Sequence, residues 1–288
     1  MGNKNETKRI IEQLENLPTL PVIMLKILEC IDNPHSSAGD LKNIISNDVA
    51  ISAKILRLAN SALFAQSHEI VDIGRAIVVL GFNMVVDVAI SVSFASLMMP
   101  QKSALVISME DFWEHDIAAA QAGRIIGTSI GYPHLEQAFI IGLMHDIGKL
   151  VLATHFTKDF NCAVEESQDY DLYLCETEEK VFGFNHADAG ALLARHWNFP
   201  EQLIMSIQYH HHYSELPEKY KKEILIAHVA DYLAKINGIG NSGDNNKIPM
   251  LHPDVFNSLV TSEYDLSLLS EELVKNKALI KTFIEAIL

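Results

Sequence analysis

Apolar residues three and four apart recur along nearly the whole chain, and this spacing constrains the fold more than any other feature of the sequence. Ile10, Ile11 and Leu14, then Ile23, Leu25, Ile27 and Leu28, then Ala138, Ile141 and Gly142 with His145 fall on one face of a helix that turns every 3.6 residues. Runs that alternate apolar and polar residues, the mark of a half-buried strand, are scarce. The pattern predicts an all-α protein. Helices are expected over about 8–16, 21–32, 38–45, 48–60, 71–80, 82–98, 110–129, 135–156, 158–167, 176–182, 186–197, 200–212, 220–236, 252–260 and 265–287.

Punctuation supports the breaks. Pro18 and Pro21 bracket the first turn, Asn33-Pro34 ends the second helix, and Ser46-Asn47-Asp48 offers a helix N-cap. Two stretches read as linkers: 100–108, and the Gly/Asn/Ser-rich 237–244, which has little to bury. They divide the chain into an N-terminal helical lobe over 1–108, a helical bundle over 109–236 that holds most histidines, and a linker with a helical tail over 237–288. The tail is expected to fold back, because Leu251, Val255, Phe256, Leu259, Leu273 and Ile280 need cover.

With 288 residues, 49% of them hydrophobic, the chain can bury a sizeable core. Its 22 Lys and Arg against 37 Asp and Glu leave a net charge of -15, which disfavours nucleic acid and anionic membranes as partners. Cys30, Cys162 and Cys175 are odd in number and lack Cys-x-x-Cys spacing, so neither a disulfide framework nor a thiolate metal site is expected. A reducing cytoplasm fits this usage. No apolar core follows the charged residues of the N-terminus, so a secretory signal is not expected, and Glu6 stands where a myristoylated Met1-Gly2 sequence would carry Ser or Thr. The apolar run from Ala76 to Met99 has the length of a membrane span, but Gly81, Asn83 and Asp87 interrupt it, and it reads better as a buried helix pair.

The chemistry sits in the bundle. His115, His145-Asp146, His186, His210-His211-His212 and Asp231 each fall on or at the end of an expected helix. Imidazole nitrogen with carboxylate oxygen suits first-row divalent ions. The dyad lies inside the apolar stretch 138–152, where an unpaired carboxylate would be costly, so it needs partners that a shared ion could recruit. Adjacent residues diverge on a helix, and His145-Asp146 would have to be presented from a helix edge. His35, His68, His134, His155, His196, His228 and His252 are read as ordinary histidines, and His212 as the outward member of its triplet.

This series resembles the HD superfamily of phosphohydrolases, which hold one or two divalent metals with a His, a His-Asp pair, further His and a final Asp. The resemblance implies a first metal at His115, His145, Asp146 and Asp231 and a second at His186, His210 and His211. Fe, Mn, Zn and Mg all fit, and no organic cofactor is implied. Gly148-Lys149 continues the dyad as in active relatives, where the matching Lys holds substrate phosphate; in such a reaction Asp146 would bridge the metals. The surrounding sequence is similar to HDOD, the HD-related output domain of bacterial signalling. The residues that carry this are Leu17-Pro18-Thr19-Leu20-Pro21, Ile55-Leu56-Arg57-Leu58-Ala59-Asn60-Ser61, Ala76-Ile77 with Leu80-Gly81, and Phe112-Trp113-Glu114-His115. Further on they are Gly142-Leu143-Met144-His145-Asp146-Ile147-Gly148-Lys149-Leu150, and His186-Ala187-Asp188-Ala189-Gly190 running to Trp197-Asn198-Phe199-Pro200. The fold implied is an HD-like helical bundle preceded by a second helical lobe.

Gly131-Tyr132-Pro133 matches the label of the HD-GYP cyclic-di-GMP phosphodiesterases but precedes the dyad, and the loop after His210-His211 lacks that motif. It is read as a helix stop and turn. Asn60 to Phe64 is read as a turn without chemistry, and the acidic Glu176, Glu178 and Glu179 as a solvated helix start. Two functions follow from the resemblance. One is a signalling module that acts through a protein partner or a ligand, with the HD-like core as scaffold. The alternative is a metal-dependent phosphohydrolase acting on a nucleotide or cyclic dinucleotide phosphoester.

Overall fold

The computed structural model describes residues 17–97, 105–212, 214, 216–244, 247–259 and 262–288. The helix expected over 8–16, the myristoylation comparison at Gly2 and Glu6, and positions 100–104 of the first linker lie outside them. The described residues form helices and short 3-10 turns, with no strand. They fall into two compact units, one within Met99–Lys275 joined by Leu17 and Pro18, the other within Thr19–Met98 joined by Asn276–Leu288.

The second unit begins with α1 (Val22–Asp32), α2 (Ala38–Ile45) and α3 (Val49–Ala59), followed by α4 (Ile73–Leu80) and α5 (Phe82–Leu97). Ser37 and Asp40 close a capping box on α2, and Asp48 caps α3 by accepting from the Ile51 amide at 2.9 Å. Asn60 fastens the turn after α3: its amide donates to the Ile70 carbonyl at 2.8 Å, and its oxygen accepts from the Ile70 N–H at 2.8 Å. Between α4 and α5, Gly81 at φ 86° lets the chain bend by 113°. The apolar run 76–97 is therefore two angled helices, and the interior of α5 from Val85 to Ala95 is buried.

The larger unit contains α6 (Met109–Ser129), α7 (Leu135–Met144), α8 (Ile147–His155), α9 (Thr157–Asp169), α10 (Leu174–Phe182), α11 (His186–His196), α12 (Glu201–Tyr209), α13 (Lys221–Ile236), α14 (Val255–Ser258) and α15 (Glu263–Lys275). Helix α6 packs against α7 and α13, and α8 against α11. These pairs approach closely because the contact positions are glycine. A Cβ at Gly123 would collide with the Ala138 carbonyl, and one at Gly142 with the Ala119 carbonyl. The stretch Leu135–His155 has the length and apolarity of a membrane span, but 89% of its apolar window is buried inside the protein. Gly131 at φ 63° ends the α6 turn, which accounts for Gly131-Tyr132-Pro133 without a catalytic role.

The tail departs from the single helix expected over 265–287. Asn276 (φ -85°, ψ 0°) leaves helical geometry after α15, and a last helix α16 (Lys277–Ile287) follows. Helix α16 belongs with the N-terminal helices, packing on α3 and α5 and burying Ile280, Phe283, Ile284 and Ile287.

Candidate metal centre

Five helices or helix ends deliver the polar side chains to one buried place. From α6, His115 sends Nε2 to 3.1 Å from Asp231 Oδ1 on the adjacent α13 and to 3.4 Å from His145 Nε2. The dyad does not ride on a continuous helix as the sequence suggested. It forms the two-residue break between α7 and α8, with His145 still helical (φ -55°, ψ -37°) and Asp146 not (φ -98°, ψ 7°). That change in ψ turns the Asp146 carboxylate to the side of its neighbour, and His145 Nε2 stands 3.4 Å from Asp146 Oδ2.

His186 is the first residue of α11, fixed by Asn185, which caps the helix by accepting from the Ala187 and Asp188 amides. Its Nε2 is 3.2 Å from Asp146 Oδ1. His210 closes α12 with Nε2 3.7 Å from the same oxygen, and His211 places Nε2 3.0 Å from His186 Nε2. Asp146 thus stands between two groups of imidazoles. Its Oδ2 faces His115 and His145, and its Oδ1 faces His186 and His210.

The far ring nitrogens fix the direction of the near ones. His145 Nδ1 lies 2.7 Å from the Gly142 carbonyl, and His210 Nδ1 lies 2.6 Å from the Ile207 carbonyl. A carbonyl only accepts, so each Nδ1 carries a proton and each Nε2 is aimed into the centre. Glu178 does the same for His186, standing 2.5 Å from Nδ1 and accepting from the backbone N–H at 2.8 Å. The solvated reading of Glu178 is therefore corrected: the residue is buried, because α10 packs its inner face toward α11. Glu176 at the start of α10 does serve as a helix cap.

Two buried lysines lie behind the carboxylates. Lys149 Nζ is 2.6 Å from Asp146 Oδ2 and donates to Ser242 Oγ at 2.9 Å. Lys235 Nζ is 2.6 Å from Asp244 Oδ2 and 3.2 Å from Asp231 Oδ2. Ser242 and Asp244 belong to the stretch 237–244 that reads as a linker with little to bury; in fact Ile239, Ser242, Gly243 and Asp244 are buried. Gly240 at φ 65° makes this possible, since a side chain there would strike the backbone of α6 at His115.

Burial opposes charge throughout the cluster. It lowers the pKa values of His115 and His211 and takes His210 down to about 4. Against burial, Asp146 and Asp231 hold His145 well above the usual histidine range. Lys149 and His145 hold Asp146 far below the usual carboxylate range, and Lys235 with His115 does so for Asp231. Asp116, the residue after the first histidine, is wholly buried, and burial pushes its carboxyl well up. Sequence reasoning missed Asp116. The available signal was a carboxylate followed by Ile117-Ala118-Ala119-Ala120, which leaves it no polar face.

The donor set fits divalent cations. Among the described residues here, the buried carboxyl groups of Asp116, Asp146, Glu178, Asp231 and Asp244 face only two buried ammonium groups, Lys149 and Lys235. Burying so many carboxyl groups is costly unless each finds a partner, and a bound cation would supply one. His210 Nε2 and both Asp116 oxygens have no hydrogen-bond partner. One donor atom from each of Asp146, His186, His210 and His211 lies within 4.8 Å of the others, and so does one from each of His115, Asp116, His145 and Asp146. Asp231 borders the second group through His115 and His145. Hard oxygen and imidazole donors of this kind could hold one or two ions of Mg, Mn, Fe or Zn type.

The histidines read as ordinary have ordinary roles where they are buried. His228 Nδ1 is 2.8 Å from the His210 carbonyl, and its Nε2 accepts from the His252 amide at 3.0 Å, bracing the end of α12. His212 is half-buried against the Tyr209 ring.

Known proteins resemble this chain in sequence and fold. A curated relative from Treponema pallidum (strain Nichols), an uncharacterized protein, is 27% identical over 213 residues; these make up 74% of this chain and 41% of the relative, so the chain spans less than half of that protein's length. A crystal structure from Marinobacter aquaeolei VT8, named as a candidate signal transduction protein, aligns with a TM-score of 0.83 at 21% identity, covering 99% of this chain and 64% of the other. Another from Shewanella amazonensis SB2B, named as a candidate phosphohydrolase, aligns with a TM-score of 0.73 at 24% identity, covering 97% and 98%. At these identities the likeness is one of fold. The family profile described as the HDOD domain matches residues 17–213, from the start of the first described turn to just beyond the histidine triplet. By that match this chain belongs to the HDOD family.

Proposed function

We propose that this chain is a signalling module whose HD-like core binds divalent metal and whose output passes through binding of a protein partner, or of a ligand, rather than through turnover. The observation that carries this reading is the placement of Lys149. In a phosphohydrolase of this superfamily the matching lysine faces substrate, whereas here it is 0% exposed and its ammonium is engaged by Asp146 and Ser242. A group that stabilises a phosphoryl transition state has to face the place where charge develops. The imidazoles of His115, His145, His186 and His210 are equally sealed, and only His211 is part-exposed at the edge.

The partner surface in this reading is the unit of α1–α5 and α16, where Val49 is 86% exposed, Val71 76% and Val78 73%. Signalling also accords with the name of the Marinobacter aquaeolei protein. The second reading, a phosphohydrolase acting on a nucleotide or cyclic dinucleotide phosphoester, is favoured by the full donor series and by the name of the Shewanella amazonensis protein. A bound divalent ion would supply an activated water and neutralise phosphoryl charge. For that activity Lys149 would have to leave Asp146 and turn outward.

Metal binding is tested by thermal unfolding of the full chain with Mn²⁺ or Zn²⁺ and after treatment with a chelator. Ligand at about a hundredfold excess over its Kd stabilises by about 2.7 kcal/mol, which raises Tm by roughly 5–10 °C in a chain of this size. Asp146→Asn, which alters the carboxylate shared by both groups, is expected to abolish the rise. Equal melting of the wild-type chain with and without either metal would remove the metal from the proposal.

A further inference from the structure

Helix α6 carries a buried acid that neither the HD ligand order nor the lysine pairing uses. Asp116 is 0% exposed, and both of its carboxylate oxygens lack a hydrogen-bond partner. The carboxyl groups around it have other company: Asp146 meets Lys149, Asp231 and Asp244 meet Lys235, and Glu178 meets His186. A buried acid left without donor or acceptor costs several kcal/mol in general, so such a group is retained where something external completes it.

We infer that Asp116 is a further ligand of the first metal, entering from α6 beside His115, and that it biases this position toward hard, oxygen-preferring divalent cations of the Mn²⁺ or Mg²⁺ class. The geometry supports this directly. One donor atom from each of His115, Asp116, His145 and Asp146 lies within 4.8 Å of the others, close to the spread that a single ion with bonds of about 2.0–2.3 Å spans. With Asp116 the ligand set of that ion changes character. His115 and His145 supply two nitrogens, Asp116 and Asp146 supply carboxylate oxygen, and Asp231 Oδ1 stands beside both histidines. Imidazole-rich tetrahedral sites suit Zn²⁺, whereas oxygen-rich sites of higher coordination number suit Mn²⁺ and Mg²⁺. The other group, with Asp146 against His186, His210 and His211, keeps three imidazoles to one carboxylate and the softer preference. One fold thereby offers two unlike positions joined by Asp146.

The inference rests on the metal-binding reading above and is tested so that the two fail separately. Mn²⁺ and Zn²⁺ affinities of the full chain are measured by equilibrium dialysis for the wild type, Asp116→Asn and Asp116→Ala, with circular dichroism to confirm helical folding. The expected result is a loss of at least about tenfold in Mn²⁺ affinity in both variants, against a change of less than about threefold for Zn²⁺. Unchanged Mn²⁺ affinity in folded variants would overturn the role of Asp116 and leave the metal reading intact, as would equal losses for both ions. A wild-type chain that binds neither ion overturns both. Should the variants fail to fold, anomalous diffraction from wild-type crystals soaked in Mn²⁺ decides: an Asp116 oxygen about 2.0–2.3 Å from the ion supports the assignment, and one beyond ligand distance overturns it.

Discussion

Gly148→Ala is expected to destabilise the chain by more than about 3 kcal/mol, or to prevent folding altogether. Helix α8 crosses α11 at this glycine, and a Cβ there would overlap the His186 carbonyl and stand 2.6 Å from the Gly190 amide nitrogen. Both are backbone atoms, so no side-chain rotation relieves the collision. The helices would have to separate, and their separation would pull His186 from its place 3.2 Å from Asp146. Equilibrium urea unfolding measures the effect, with Gly39→Ala as a control, because the nearest atom to a Cβ there is the Ser37 hydroxyl at an ordinary 3.4 Å. A Gly148→Ala midpoint within error of wild type would mean that α8 and α11 do not meet as described.

Lys235→Ala is the second large effect. The ammonium group is buried between Asp231 and Asp244, and both carboxylates hold its pKa above the usual lysine range against the pull of burial. Removing one partner of a buried ion pair leaves the other charge without water or counter-ion, which costs about 3–5 kcal/mol. Here two carboxylates are left, with Lys149 as the remaining buried ammonium among them. The expected result is a loss of about 3–5 kcal/mol in chelator-treated protein, with part of it restored when a divalent ion replaces the missing positive charge beside Asp231. A loss below about 1 kcal/mol would be the magnitude of an exposed pair and would contradict the buried position of Lys235.

The helices were largely legible in the sequence, because their apolar faces repeat at helical spacing and their ends carry plain signals. Ser37 with Asp40, and Asp48, cap the helices that follow them, and Gly81 and Gly131 take positive φ at the breaks. Less legible was anything decided by a single ψ angle. Nothing in Leu143-Met144-His145-Asp146-Ile147 marks the break at Asp146, since all these residues tolerate a helix, and Asn276 interrupts the tail without a glycine or proline.

The candidate ligands from His115 to Asp231 could be named because their order resembles the ligand series of the HD superfamily, and the apolar setting of His145-Asp146 added that the dyad needs partners. Their supports could not. Glu178 sits in an acidic run that resembles a solvated helix start, and only the packing of α10 against α11 turns it to His186. Ser242 and Asp244 lie in a stretch with the composition of a linker, and it is two lysines from α8 and α13 that satisfy them in the interior. Lys149 itself was legible as part of the motif, while its inward direction was not.

The account stands or falls on whether the metal-loaded core turns over a phosphoester. The direct measurement is release of product from a panel of nucleotides, cyclic dinucleotides and a chromogenic phosphodiester by the chain loaded with Mn²⁺ and with Zn²⁺, run beside Asp146→Asn. The account predicts bound metal in the wild-type chain and no product above the level of the variant. Turnover by the wild-type chain that Asp146→Asn abolishes would contradict it and establish the buried centre as that of an enzyme.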